Sequence, residues 1–103
     1  MQRLKLSQLR LMGDARWPWL VLIPELNGVE EIYDLNENDR TVLMCEIFAV
    51  SRILKSLCNP DKINIGALGN IVRQLHIHVV VRHFNDPAWP GPVWGHGRPE
   101  QYS

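Results

Sequence analysis

Net charge is missing from this chain, and so is any long apolar run. Eleven Lys and Arg balance eleven Asp and Glu over 103 residues, so the formal charge at neutral pH is zero. No overall field then draws the chain to nucleic acid or to an anionic membrane, although a local anion site of backbone amides and histidines stays open. No stretch approaches the roughly 20 apolar residues that cross a bilayer. The opening Met1-Gln2-Arg3-Leu4-Lys5 shows no apolar core of a secretion signal. Cysteine is scarce, with two in the chain. Cys45 and Cys58 fall in one predicted helix, separated along its axis by about 20 Å, too far for a disulfide. Two unpaired thiols, expected to be buried, suit a reducing cytoplasm. Internal repeats and a domain linker are absent as well, so residues 1–103 are expected to form one domain.

What is present is a 46% hydrophobic content, enough for a globular core. Leu4 to Met12 alternates loosely and predicts a strand, turned by Gly13-Asp14-Ala15-Arg16. Trp17 to Ile23 is aromatic and β-branched and predicts a second strand; Pro24 ends it and Asn27-Gly28 turns the chain. Asn36 is a good N-cap, with Glu37 and Asp39 in the first turn of a helix predicted to run to about Cys58. Leu43, Ile47, Val50, Leu54 and Leu57 recur along it at helical spacing and are expected in the core. Lys62 to Leu68 predicts a third strand and Gln74 to Arg82 a fourth. Residues 83–103 change character: a segment rich in Trp and Pro cannot be helix and reads as an ordered irregular tail. The order β-β-α-β-β with short links predicts an α+β fold, an antiparallel sheet of about four to five strands with the long helix on one face.

The chemistry concentrates in Gln74-Leu75-His76-Ile77-His78-Val79-Val80. On a strand, Gln74, His76 and His78 share one face while Leu75, Ile77 and Val79 point into a core. Two adjacent imidazoles on a rigid element suit nucleophilic attack and proton transfer. Gly69-Asn70, just before, is a tight turn whose amides can approach a phosphate. Asn64 lies on the preceding strand, and Asp14 follows the first strand, where an acid can accept from sugar hydroxyls.

This set of residues resembles the histidine triad (HIT) superfamily, whose signature is His-φ-His-φ-His-φ-φ with φ apolar. The match has Gln74 in place of the first histidine. Trp19-Leu20-Val21-Leu22-Ile23-Pro24 is similar to the family's apolar strand ending in Ile-Pro, and Arg82 and Trp89-Pro90 have counterparts in Hint-type members. The resemblance implies a nucleotide-binding hydrolase or transferase acting at the α-phosphate of a nucleoside phosphate derivative. His76 would be the nucleophile of a covalent nucleotidyl-histidine intermediate, with its other ring nitrogen on a backbone carbonyl. His78 would assist at the phosphoryl oxygens, and Gln74 would donate an N–H there without relaying a proton. Asp14, Asn64, Gly69, Asn70 and Trp89 would bind the nucleotide. Trp19 stands where Hint-type members carry a further histidine. The resemblance also implies a homodimer, expected here with the tail near the neighbour's active site; a cytoplasmic location, no cofactor and no metal are expected beside it. Relatives usually carry a helix and part of a strand ahead of Leu4, so a shorter version or a misplaced start is expected.

Plainer readings stand beside these. His76 and His78 can be half-buried sheet histidines, or two ligands of a zinc ion completed by His83 or His96. Asp14 can cap its turn, Asn64 can satisfy backbone groups, Arg82 can be a solvated strand end, and the tryptophans can be core. A nucleotide-binding or regulatory protein with little turnover is the alternative function.

Overall fold

A computed structural model describes all residues, 1–103. Five antiparallel strands form one sheet in the order β1-β2-β3-β5-β4: β1 Gln2–Arg3, β2 Ser7–Leu11, β3 Trp19–Pro24, β4 Lys62–Gly66 and β5 Ile77–Arg82. A short 3₁₀ turn, Ile32–Asp34, precedes the single long helix α1, Glu37–Cys58. The fold is thus α+β, as the sequence pattern predicts.

The helix bounds follow from local chemistry. The Asn36 side chain accepts from the amide of Asp39 at 2.8 Å, and Asn59 ends the helix in the left-handed region at φ 45°. Leu43, Ile47, Val50 and Leu54 are buried against Leu22, Ile77, Val79 and Val81 of the sheet. Burying each such side chain is worth about 1.5–3 kcal/mol. Leu57 departs from the expected stripe and is exposed. The position four residues beyond Leu54 is Cys58, and it is Cys58 that packs on this core. The expectation of two buried thiols fails accordingly: Cys45 is exposed and Cys58 half-buried. Glu46, buried on the helix, accepts from the amides of Leu6 at 2.8 Å and Ser7 at 3.4 Å, tying α1 to the start of β2.

The strands are shorter than their patterns. Of Leu4 to Met12 only Ser7–Leu11 is strand, β2; the amide of Leu4 turns back onto the carbonyl of Ser7, and the short β1, Gln2–Arg3, lies ahead of that turn. β3 begins at Trp19 rather than Trp17, and β4 ends at Gly66 rather than Leu68. β5 begins at Ile77, because its partners run out there: the pairing with β3 ends at Leu22 with Ile77, and that with β4 ends at Gly66 with His78. Gln74, Leu75 and His76 therefore approach the sheet without joining its ladders.

The register sorts the two faces. Trp19, Val21 and Ile23 share a face with His78, Val80, Arg82, Asn64 and Gly66. No helix covers that face. The tail does, through a cluster of Trp17, Trp19, Val21, Val80 and Val93.

Candidate active site

His78 stands on β5 and His76 just ahead of it. Their ring centroids are 5.1 Å apart with planes at 72°. Nδ1 of His76 lies 2.6 Å from the carbonyl oxygen of Gln74. A carbonyl only accepts, so Nδ1 carries the proton and Nε2 of the neutral ring keeps its lone pair. Nδ1 of His78 lies 2.9 Å from the indole nitrogen of Trp19. An indole N–H only donates, so here Nδ1 is the acceptor and the proton of the neutral ring sits on Nε2. The pair thus holds opposite tautomers, one ring presenting a lone pair at Nε2 and the other an N–H. Burial first, and the neighbouring His76 second, push the His78 pKa down to about 4.

Both rings open onto a cavity of about 340 Å³. Leu11, Met12, Val21, Ile23 and Val72 make its walls apolar, while Gln74 and Arg10 add polar groups. The register explains the grouping, since Arg10 pairs with Val21 and Val21 with His78 across three strands. An apolar cavity beside two imidazoles suits a flat ring attached to a reactive phosphate.

Gln74 is placed differently from the expectation of a free donor. Its amide nitrogen lies 3.1 Å from the carbonyl of Pro24 and 3.4 Å from that of Leu26, so its N–H groups serve the end of β3. Gly69 lines a narrow cleft with His76 and Leu75, and Asn70 follows it, exposed. Gly69 has φ +71°, where glycine is favoured.

Three other expected nucleotide contacts lie apart from the two imidazoles. Asp14 is 3% exposed and its carboxylate is taken up by Arg16. Oδ2 accepts from Nη2 at 2.8 Å, while Oδ1 accepts from Nε and the amide of Arg16 and from the amide of Glu100. The Arg16 side chain leads in holding the Asp14 pKa down to about 2, overriding burial. Arg16 also donates to the carbonyl of His96, so this pair pins the end of the tail. Asn64 accepts from Nη1 of Arg82 at 2.7 Å. Arg82 is no solvated strand end: it is 1% exposed and forks onto Asp86 at 2.7 and 3.1 Å and onto the carbonyl of Gly91 at 2.7 Å. Burial works to raise the Asp86 pKa, but Arg82 and the amides of His83 and Ala88 outweigh it and hold the carboxyl well below its usual range. Trp89 packs on Phe84, with centroids 5.1 Å apart, and under Arg82.

The knot at Arg82 folds the tail back over its own sheet. Trp94 then meets His78 at 5.6 Å and Trp19 at 6.2 Å between centroids. The tail thus caps the histidine of its own chain. Gly66, paired with His78, makes room for it: a Cβ there would come within 3.0 Å of Cη2 of Trp94. Trp19 and Trp94 are site residues that pattern reading assigns to the core, although the resemblance places Trp19 where Hint-type members carry a histidine. The alternation that puts Trp19 on the face of Val21 points toward the site, but only the β3–β5 register brings it to His78. His83 lies 3.7 Å from Asp61 and His96 packs on Trp17, so neither joins the pair. No three His, Cys, Asp or Glu side chains converge as a metal site.

The comparisons with known proteins agree with this fold. The HIT domain profile matches residues 1–85. A histidine triad protein of Sinorhizobium meliloti 1021 is 51% identical with a TM-score of 0.95, over 97% of this chain and 74% of that one. One from Bradyrhizobium japonicum is 46% identical with a TM-score of 0.96, over 98% and 75%. One from Marinobacter aquaeolei VT8 is 44% identical with a TM-score of 0.95, over 98% and 74%. No curated protein matches the chain significantly. No helix is long and apolar enough to cross a membrane.

Proposed function

This chain belongs to the histidine triad family, a premise that supports nucleotide binding, and from it we propose a hydrolase or transferase acting at the α-phosphate of nucleoside phosphate derivatives. His76 is the nucleophile and forms a nucleotidyl-histidine that water then releases. One observation carries this reading: the 2.6 Å contact of Nδ1 with the Gln74 carbonyl, which leaves Nε2 of the neutral ring as the attacking lone pair. His78 donates Nε2–H to a phosphoryl oxygen. Gln74 serves through its main-chain carbonyl and by holding the approach to β5. Gly69 and Asn70 present amides to the phosphate, and the apolar cavity takes the base. Asp14, Asn64 and Trp89 act on the nucleotide indirectly, by pinning the chain around the site.

Rapid acid quench with a labelled nucleotide tests the mechanism. An acid-labile label on His76 is expected, absent in His76→Ala. Label on His83 or His96, or wild-type turnover in His76→Ala, contradicts it.

A nucleotide-binding protein with little turnover is the second reading, and the occupied N–H groups of Gln74 favour it. It gives ligand-dependent stabilisation and no covalent product. We also infer a cytoplasmic homodimer. Met44 and Phe48 on α1, Ile65 on the edge strand β4, and Ile71 and Val72 after it leave apolar surface for a second copy. Light scattering at micromolar concentration is expected to give twice the chain mass; the monomer mass refutes it.

A further inference from the structure

Displacement at phosphorus expels a leaving group, and a strongly basic one needs a proton as it departs. The side chains around His76 are poor sources of that proton. Gln74 is a neutral carboxamide whose N–H groups face the carbonyls of Pro24 and Leu26. Arg10, the cation lining the cavity, does not release a proton near neutral pH. Arg82, on the same sheet face, is spent on Asp86.

His78 is the remaining candidate, and Trp19 decides its state. To act as an acid, the ring must first carry a proton on both nitrogens. The second would go onto Nδ1, where the Trp19 N–H already points from 2.9 Å. Two donors would then face each other in a place closed by the rings of Trp19 at 5.7 Å and Trp94 at 5.6 Å. The structure would lose a buried hydrogen bond and gain a buried charge beside His76.

Resting on the reading of His76 as nucleophile, we propose that Trp19 is a positioning residue that locks His78 as a neutral Nε2–H donor, so that the site takes nucleotidyl anhydrides rather than nucleotidyl amides of basic amines. In such an anhydride the α-phosphorus is joined through oxygen to a carboxylate or a further phosphate. The lone pair on Nε2 of His76 forms the N–P bond. The P–O bond to the leaving group breaks, and its electron pair leaves on a carboxylate or phosphate oxygen that needs no proton. The proton on Nδ1 of His76 stays against the Gln74 carbonyl throughout. Water then attacks phosphorus, the pair of the N–P bond returns to Nε2, one proton of the water stays on the mononucleotide and the other goes to solvent. His78 stabilises the phosphoryl oxygens in both steps by its Nε2–H.

The test is a series of compounds sharing one labelled nucleoside 5′-phosphate and differing only in the group on phosphorus: acetate, phosphate, phenol and an alkylamine. The expected kcat/KM falls across that order, by about a hundredfold or more from acetate to alkylamine. Trp19→Phe keeps a ring but removes the N–H. It is expected to narrow the gap roughly tenfold, with the amine compound gaining a rate that rises as pH falls. Equal turnover of anhydride and amine by the wild type overturns the proposal, and so does an unchanged gap and pH profile in folded Trp19→Phe. Nitrogen-15 spectra of the wild-type imidazoles give a readout independent of turnover and of that variant's folding. They are expected to show His78 bare at Nδ1 and protonated at Nε2 from pH 5 to pH 8. A doubly protonated His78 at pH 5, or the opposite tautomer, overturns the lock. Label on His76 without leaving-group discrimination refutes this inference alone, whereas no label from any compound refutes the underlying function.

Discussion

The two faces of the sheet are held by different forces. The helix-covered face is closed by apolar area: Leu43, Ile47, Val50 and Leu54 on Leu22, Ile77, Val79 and Val81. The tail-covered face has a smaller apolar cluster and two buried ion pairs, Arg82 with Asp86 and Arg16 with Asp14. A helix satisfies its own backbone, so its side chains are free to be plainly apolar. An irregular tail has no such ladder, and much of its closure is directional: the Arg82 guanidinium on the Gly91 carbonyl, that of Arg16 on the His96 carbonyl, and the Asp86 carboxylate on the amides of His83, Ala88 and Trp89. The reactive imidazoles sit on the face whose cover is set by geometry rather than by area.

The sharpest division of the two faces is His76→Ala. Turnover should fall by more than roughly a thousandfold, while thermal unfolding stays within a degree or two of the parent. A matching loss of stability would tie the imidazole to the fold instead. Next comes Asp86→Ala, which strands the buried Arg82. A cost of about 3–5 kcal/mol is expected, a fall in Tm on the order of 15 °C or more. Arg82→Met with Asp86→Leu should recover part of it, whereas an equal or greater loss would show that the fork's bonds to Asn64 and Gly91 are what matter. On the other face, Leu54→Ala should cost about 2–4 kcal/mol through a cavity and leave nucleotide binding intact; a comparable loss of nucleotide affinity would break the separation of the faces.

A graded change is set by pH and should be confined to the tail-covered face. The unfolded His78 takes a proton near pH 6.5 and the folded one only near pH 4, so the unfolded state binds more protons between them and stability falls as pH drops through that window. Asp14 adds a second loss as pH falls from about 3.8 through about 2, where its paired carboxylate is at last protonated. Urea unfolding at stepped pH checks both. His78→Phe should flatten the first slope, and Asp14→Asn should reduce the second, leaving the share of Asp86, whose carboxyl is also held below its usual range.

The same contrast decides what the sequence discloses. The helix, its Asn36 cap and most of its buried stripe are periodic, and periodicity is local. So is the pairing of apolar and imidazole positions in residues 75–79. The stripe fails at Leu57 because the final contact falls four rather than three residues beyond Leu54, at Cys58. The hydrogen bond of Trp19 to His78 spans 59 positions, and that of Gln74 to Pro24 spans 50. Neither follows from residue type: each depends on strand register, and a slip of one residue would turn Trp19 to the helix face. Asp14 and Asn64 carry the right chemistry for a ligand, but each is taken by an arginine: Arg16, two positions on from Asp14, and Arg82, which reaches Asn64 across the β4–β5 pairing.

Gly66 gives the site a built-in thickness gauge. The space between β4 and the six-membered ring of Trp94 is the width of one hydrogen atom's worth of side chain, since a methyl group would stand 3.0 Å from Cη2 and 3.2 Å from Cζ2. Trp94 rests on the strand and on the His78 ring together, so a single added carbon at position 66 would act as a wedge under one edge of the cover. The ring would have to give by a few tenths of an ångström, so the fit of the cover over the His78 imidazole is set from a residue that has no side chain and takes no part in the chemistry.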